Sequence, residues 1–284
     1  MQVVTTKSEL RDHLDSARAA GATVGLVPTM GALHDGHLSL VAAAASDCDL
    51  VVLTIFVNPL QFAPTEDLAA YPRPLERDLE LAGAAGVDVV FTPTTDEMYP
   101  EGAATTVHVE GLTELLEGAS RPGHFDGVTT VVAKLFAIAG PCRAYFGEKD
   151  FQQLAVVTRM AADLDLPVTV VGCPIVRESD GLAMSSRNIY LSATERVAAT
   201  VLSRSLRAGV AMIEAGERDP AVIEAHVASI IGAEPLATLD YIAVVDPTTL
   251  RSPAILESGS EARLLLVAQV GTPRLLDNVG VRIR

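Results

Sequence analysis

Val24-Gly25-Leu26-Val27-Pro28-Thr29-Met30-Gly31-Ala32-Leu33-His34-Asp35-Gly36-His37-Leu38 is the stretch on which the fold turns. Val24 to Val27 is a short apolar run of the kind that makes a buried parallel strand, and Leu38 to Ala45 is an alanine-rich apolar segment that reads as a helix. Between them Gly31 offers the tight turn out of the strand. Phosphates gather at the carboxyl ends of parallel strands, where the first N–H groups of a helix and the positive end of its dipole meet an anion. His34 and His37, at i and i+3, stand one helical turn apart at that point. Gly36 between them has no Cβ, so a flat base or ribose can lie against the backbone. His-x-x-His alone is more often a surface coincidence or a metal pair; the surrounding strand, turn and helix favour a nucleotide.

The chain on either side repeats the alternation. Upstream, Thr6-Lys7-Ser8-Glu9 is a capping-box pattern that starts a helix through Leu10, Leu14 and Ala17, stopped at Gly21. Downstream, the β-branched run Asp49 to Val57 is a strand that Pro59 ends, leaving Asn58 and Gln61 on a loop at its carboxyl end. Such amides by default staple loops; here they are also candidates to hold a small polar substrate. A helix from Leu75 to Ala85 carries Asp78 in its first turn, and Val87 to Phe91 is the next strand. Thr105 to Glu110 alternates like a short exposed strand, Gly111 to Glu117 suggests a short helix, and Ser120 to Gly127 is a binding-type loop with Arg121 and His124. Val128 to Ala139 is a buried helix. The strand Ala144 to Phe146 then delivers Gly147-Glu148-Lys149-Asp150 at its carboxyl end, ahead of a helix, Phe151 to Leu164, carrying Gln152 and Gln153. Pro167 to Val171 is a further strand, and the whole is the signature of a Rossmann-like doubly wound parallel sheet in an α/β protein.

Near residue 176 the pattern changes. Val176 to Asn188 is a polar loop containing Met184-Ser185-Ser186-Arg187, followed by a capping box at Ser192 to Glu195, a helix to about Ala215, a second helix Pro220 to Ile231, and strands near Leu239 to Val245, Ala262 to Val270 and Val279 to Ile283. That predicts a first domain over 1–176 and a smaller helix-plus-antiparallel-sheet domain over 177–284. A hydrophobic content of 49% in 284 residues supports sizeable cores. The net charge of −15 and the scarcity of aromatics, 4% with no Trp, argue against a nucleic-acid partner, so an anionic substrate must meet a local cluster of cations. Cys48, Cys142 and Cys173 are odd in number and widely spaced, which disfavours a disulfide framework and points to the cytoplasm. No span approaches the ~18 uninterrupted apolar residues of a membrane helix, and no leader pattern opens the sequence.

There is neither a P-loop nor a Gly-x-Gly-x-x-Gly dinucleotide fingerprint. Pro28 to His37, Phe56-Val57-Asn58-Pro59-Leu60-Gln61-Phe62, Phe146-Gly147-Glu148-Lys149-Asp150-Phe151-Gln152-Gln153-Leu154 and Asp180-Gly181-Leu182-Ala183-Met184-Ser185-Ser186-Arg187-Asn188 resemble, in order and spacing, the pantothenate synthetase family. That family belongs to the nucleotidylyltransferase and class I aminoacyl-tRNA synthetase-like superfamily. The resemblance implies ATP-dependent condensation of (R)-pantoate with β-alanine through a pantoyl adenylate, a magnesium requirement, a homodimer, and a small C-terminal domain closing over the site. It implies ATP contacts at Met30, Gly31, Ala32, Leu33, His34, Asp35, Gly36 and His37, and at Gly147, Glu148, Lys149, Asp150, Val176, Met184, Ser185, Ser186 and Arg187. His37 is then the proton donor with His34 its partner, Lys149 a catalytic counter-charge, and Gln61, Gln153 and Asn58 the contacts for pantoate and β-alanine. Asp78 is the candidate metal ligand. A nucleotidyltransferase acting on a phosphorylated acceptor is the alternative enzyme, although the paired glutamines suit it poorly. An ATP-binding regulatory module is the alternative of another class.

Overall fold

Side chains alternate between the two faces of each short strand, and both faces are apolar, so a sheet of such strands must be covered on both sides. The structure, a computed structural model describing residues 1–62, 68 and 71–284, is built this way. The elements up to Cys173 are β1 (Gln2–Val4), α1 (Lys7–Ala19), β2 (Val24–Thr29), α2 (Asp35–Asp47), β3 (Leu50–Ile55), α3 (Leu75–Ala84), β4 (Val89–Phe91), α4 (Thr95–Met98), α5 (Glu117–Ser120), α6 (His124–Ala139), β5 (Cys142–Gly147), α7 (Phe151–Asp163) and β6 (Val168–Cys173). The strands form one six-stranded sheet in the order β1-β4-β3-β2-β5-β6, every pair parallel. Val24, Leu26, Val52, Val89, Phe91, Ala144 and Phe146 face a core completed by α1, α6 and α7. The intervening Val27, Val51, Leu53, Val90 and Tyr145 face a second core closed by α2 and α3. The doubly wound sheet expected from the sequence is the observed one. Strand order reverses between β2 and β5, the place where open α/β sheets leave a crevice for ligands.

From Ile175 onward the elements are α8 (Ala193–Ala198), α9 (Val201–Glu214), α10 (Pro220–Gly232), and the antiparallel strands β7 (Ala237–Val245), β8 (Glu261–Val270) and β9 (Arg274–Arg282) in the order β7-β8-β9. Their core joins Leu202, Leu206 and Ile213 of α9, Ile223, Val227 and Ile231 of α10, and Leu264 and Leu266 of β8. Gly209 allows this packing: a Cβ there would lie 2.7 Å from Leu264 Cδ2 and 2.9 Å from Val227 Cγ2. The chain divides into two compact units, Met1–Glu148 with Gln152–Pro174, and Lys149–Phe151 with Ile175–Arg284.

Several elements differ from their sequence reading. β1 is too short for any periodicity to reveal, and it exists because β4 offers it an open ladder. Thr105 to Glu110 is no strand. Its backbone is held by side chains of α6: Val107 N–H donates to Thr130 Oγ1 at 3.0 Å, and Thr129 Oγ1 donates to the Val107 carbonyl. The short helix expected over Gly111 to Glu117 forms instead at Glu117–Ser120, and the helix expected to run to Ala215 breaks after Ala198. β9 starts earlier than Val279, because Asp277-Asn278, a turn-like pair, lies within the strand.

The segment held on α6 also carries a titrating contact. His108 Nδ1 lies 2.7 Å from Asp126 Oδ1, and that hydrogen bond, helped by the charges of Glu110 and Glu114, raises the imidazole above its ordinary 6.5. A raised histidine contributes its stabilisation below the ordinary value and loses it as pH climbs through the raised one. In Asp126→Asn the NMR titration midpoint of His108 should fall back toward 6.5. An unmoved midpoint would exclude the pairing.

Candidate active site

The first unit places its candidate residues at the carboxyl ends of β2 and β3. α2 begins at Asp35, three residues ahead of the apolar run that marked it in the sequence, with His34 as its N-cap. His34 Nδ1 accepts from Gly36 N–H at 3.1 Å, so the proton of the neutral ring sits on Nε2, where it can donate to a phosphoryl oxygen. His37 lies in the first helical turn, and the two imidazoles meet with centroids 4.1 Å apart.

The loop before them is held open by Asp78. Gly31 and Ala32 both have positive φ, 84° and 52°, and a Cβ on Gly31 would stand 2.9 Å from Asp78 Oδ2. Left-handed backbone costs a non-glycine residue such as Ala32 about 1–2 kcal/mol, and the carboxylate offsets it. Asp78 Oδ2 accepts from Ala32 N–H and Oδ1 from Leu33 N–H, both at 2.8 Å. At 1% exposed, with each oxygen accepting from the backbone, Asp78 is a clasp on the Met30–His37 loop; it is also the residue the sequence offers as a metal ligand. Among the described residues no group of three His, Cys, Asp or Glu side chains could hold a metal.

The second loop of this unit is equally held from behind. Asn58 caps the short 3-10 turn Pro59–Gln61. Its Oδ1 accepts from Tyr99 OH at 2.9 Å and Leu60 N–H at 3.3 Å, and its Nδ2 donates to the Gly127 carbonyl at 2.9 Å and Gln61 Oε1 at 3.2 Å. Both donors and both lone pairs are thereby used. Asn58, a candidate substrate contact in the sequence, is buried and staples this loop where α6 approaches closely: a Cβ on Gly127 would meet the Leu60 carbonyl oxygen at 2.3 Å. Gln61 is half-buried, and its Nε2 lies 2.8 Å from Met30 Sδ, which ties the two loops together.

Arg121 and His124 support the Gln61 backbone. His124 Nδ1 is 2.8 Å from the Gln61 carbonyl, which can only accept, and His124 Nε2 is 3.1 Å from Arg121 Nη1, which can only donate. The imidazole is therefore neutral with its proton on Nδ1. Arg121 adds a 3.4 Å bond to the same carbonyl and pairs with Glu117 at 4.0 Å. On α7 the two glutamines part. Gln152 is buried and staples Glu117 N–H and the Leu112 and Leu115 carbonyls, while Gln153 is half-buried. Burial pushes the Cys142 thiol up to about 12 and raises that of Cys173, which suits packing rather than nucleophilic chemistry.

Gly147 ends β5, and Glu148–Asp150 form a single 3-10 turn. In the second unit, Lys149 Nζ lies 3.9 Å from Asp150 Oδ2. Val176 and Met184 are joined by a 3.0 Å backbone bond from Met184 N–H, and Arg177 bridges to Ala183. Ser185 then caps the 3-10 turn Ser186–Tyr190, its Oγ accepting from Arg187 N–H at 3.2 Å. One of the two hydroxyls expected for phosphate thus already serves the loop.

Against known proteins, residues 2–280 match the model of the family described as Pantoate-beta-alanine ligase. The chain belongs to that family. A pantothenate synthetase of Heliobacterium modesticaldum is 57% identical over 283 residues, covering 100% of both chains, and one of Moorella thermoacetica is 52% identical over 283 residues, covering 100% of this chain and 99% of its own. The crystal structure of pantothenate synthetase from Thermus thermophilus superposes with a TM-score of 0.92 at 51% identity, covering 98% of this chain and 99% of that one. A pantoate-beta-alanine ligase from Francisella tularensis, complexed with Beta-gamma ATP and β-alanine, superposes with a TM-score of 0.80 at 32% identity, covering 98% and 97%. Family membership thus extends over both units, and the four motif blocks read from the sequence lie within the matched residues.

Proposed function

We propose that this chain is an ATP-dependent ligase that joins (R)-pantoate to β-alanine through a pantoyl adenylate, releasing AMP and pyrophosphate. The observation that carries the proposal is the family match over residues 2–280, in which the strand, loop and helix from Val24 to Asp47 present an anion-binding helix start at the switch point of the sheet.

Met30 to His37 hold ATP, with Gly147 to Asp150, Val176 and Met184 to Arg187 as its further contacts. The pantoate carboxylate attacks the α-phosphorus in line. Negative charge then grows on the phosphoryl oxygens and on departing pyrophosphate; His34, His37 and Lys149 meet the first, and Ser185, Ser186 and Arg187 the second. Gln61 and Gln153 hold pantoate, with Gln61 also touching β-alanine. The amine of β-alanine next attacks the mixed anhydride, where orientation and exclusion of water matter most. Asn58 stands beside them as a further substrate contact, and Asp78, Arg121 and His124 hold the loops that carry these groups. Magnesium would supply charge neutralisation on the triphosphate; it usually keeps several waters and needs only one or two carboxylates, for which Asp78 is the candidate. A homodimer in the cytoplasm completes the reading, supported by the resemblance and by three free cysteines. No helix among the described residues is long and apolar enough to cross a membrane.

Purified protein with magnesium and ATP should release pyrophosphate when pantoate is added and form pantothenate once β-alanine follows. If neither product appears under conditions in which ATP binds, the ligase reading fails and a regulatory module takes its place.

A further inference from the structure

Asp277 and Asn278 are an unusual pair to find in mid-strand. Asp and Asn are depleted from strands, yet in β9 they are 2% and 1% exposed. Burying a carboxylate and an amide is costly unless each is bonded, and here each is. Asp277 accepts a fork from Arg177, Nη1 to Oδ2 at 2.7 Å and Nη2 to Oδ1 at 2.8 Å, and its Oδ1 also accepts from Asn278 N–H at 2.7 Å. The same guanidinium donates to the Gly181 carbonyl at 3.0 Å and the Asn278 carbonyl at 3.2 Å. It thereby fastens the hairpin whose arms are Val176 and Met184.

Asn278 faces a different segment. Its Oδ1 accepts from Arg263 Nε at 2.8 Å, and its Nδ2 donates to the Lys149 carbonyl at 2.7 Å. Arg263 has only donors to offer and the carbonyl only an acceptor, so the amide has one orientation and no other side chain of its size satisfies both. Arg263 itself lies over the Phe151 ring, 4.0 Å from its centroid, and so grips the residue two past Lys149. The sheet thus holds two segments far apart in sequence through adjacent residues of one strand.

We infer that Asp277 and Asn278 are positioning residues: Asn278 sets the backbone of Lys149, and Asp277, through Arg177, sets the Val176–Arg187 nucleotide segment. The inference rests on the ligase reading and adds to it the device that holds Lys149 and that segment in one rigid frame. Neither residue touches substrate. A merely structural pair would lose the same share of activity whether or not the Lys149 side chain is present; a frame that acts through Lys149 would not.

The test uses the full chain. Asn278→Asp keeps the volume and the acceptor for Arg263 but turns a second acceptor toward the Lys149 carbonyl. It should lower kcat for pyrophosphate release about 100-fold, the cost of misplacing a charged group by about 1 Å, with little change in the KM for ATP. On a Lys149→Ala background the same change should add less than about twofold, since coupled residues are non-additive. Arg177→Lys keeps the charge and loses the fork; it should raise the KM for ATP about tenfold with kcat little changed. If Asn278→Asp does not fold, Asn278→Ser supplies the same cycle. An equal fall on both backgrounds, or KM and kcat moving together in both variants, overturns the inference while a working wild type leaves the ligase reading intact. A wild type without pyrophosphate release overturns both.

Discussion

Replacing His37 by Ala is expected to slow pyrophosphate release from ATP and pantoate by about 100–1,000-fold, the usual effect of removing one donor aimed at charge that develops in the transition state. ATP affinity should fall far less. The ground-state triphosphate keeps the N–H groups and dipole of the α2 N-terminus, as well as His34, whose proton sits on Nε2 because Nδ1 accepts from Gly36. His37 lies tilted against that ring with centroids 4.1 Å apart, and on the proposed mechanism its loss removes a donor at the reacting phosphorus rather than the binding platform. Single-turnover pyrophosphate release and calorimetric ATP binding separate the two. A loss confined to affinity would favour the regulatory module, because groups placed for a transition state add little to ground-state binding.

Asp78→Ala is expected to cost about 3–6 kcal/mol of stability, from two hydrogen bonds to a carboxylate at about 1.5–3 kcal/mol each. Urea denaturation of the full chain reads this as a lowered midpoint with unchanged slope. The Ala32 and Leu33 amides would lose their partner, and Ala32 would have no reason to keep its positive φ. The loop carrying Met30 to His37 should then relax, and adenylate formation should fall with it at any magnesium concentration. Recovery of activity by excess magnesium would assign the loss to the metal rather than to the loop.

Both predictions concern one loop, and the two residues differ in how much of their surroundings the sequence shows. His37 announces itself through its spacing from His34 beside a glycine turn. Asp78 lies 45 residues from Leu33, to which it is bonded, and the sequence offers it as a first-turn acid and candidate metal ligand with no sign of the loop it clasps. Asn58 was legible as a strand-end loop residue, but its partners Tyr99 and Gly127 come from distant segments and only the packed chain reveals them. Thr105 to Glu110 alternates as a strand would, yet Thr129 and Thr130 of α6 satisfy its backbone before any ladder can.

Hydrophobic periodicity, caps and glycine turns are local properties, so the sequence alone determined the doubly wound sheet, the smaller antiparallel sheet after it, and the four motif blocks of the ligase family. Which polar side chains would be held behind those blocks is a property of hydrogen-bond satisfaction over long separations. Asp78 under the first loop, His124 under Gln61, and Asp277 with Asn278 under Arg177 and Lys149 have no local signature. A buried donor or acceptor must find a partner wherever the packed chain places one, and only the tertiary structure decides where that is.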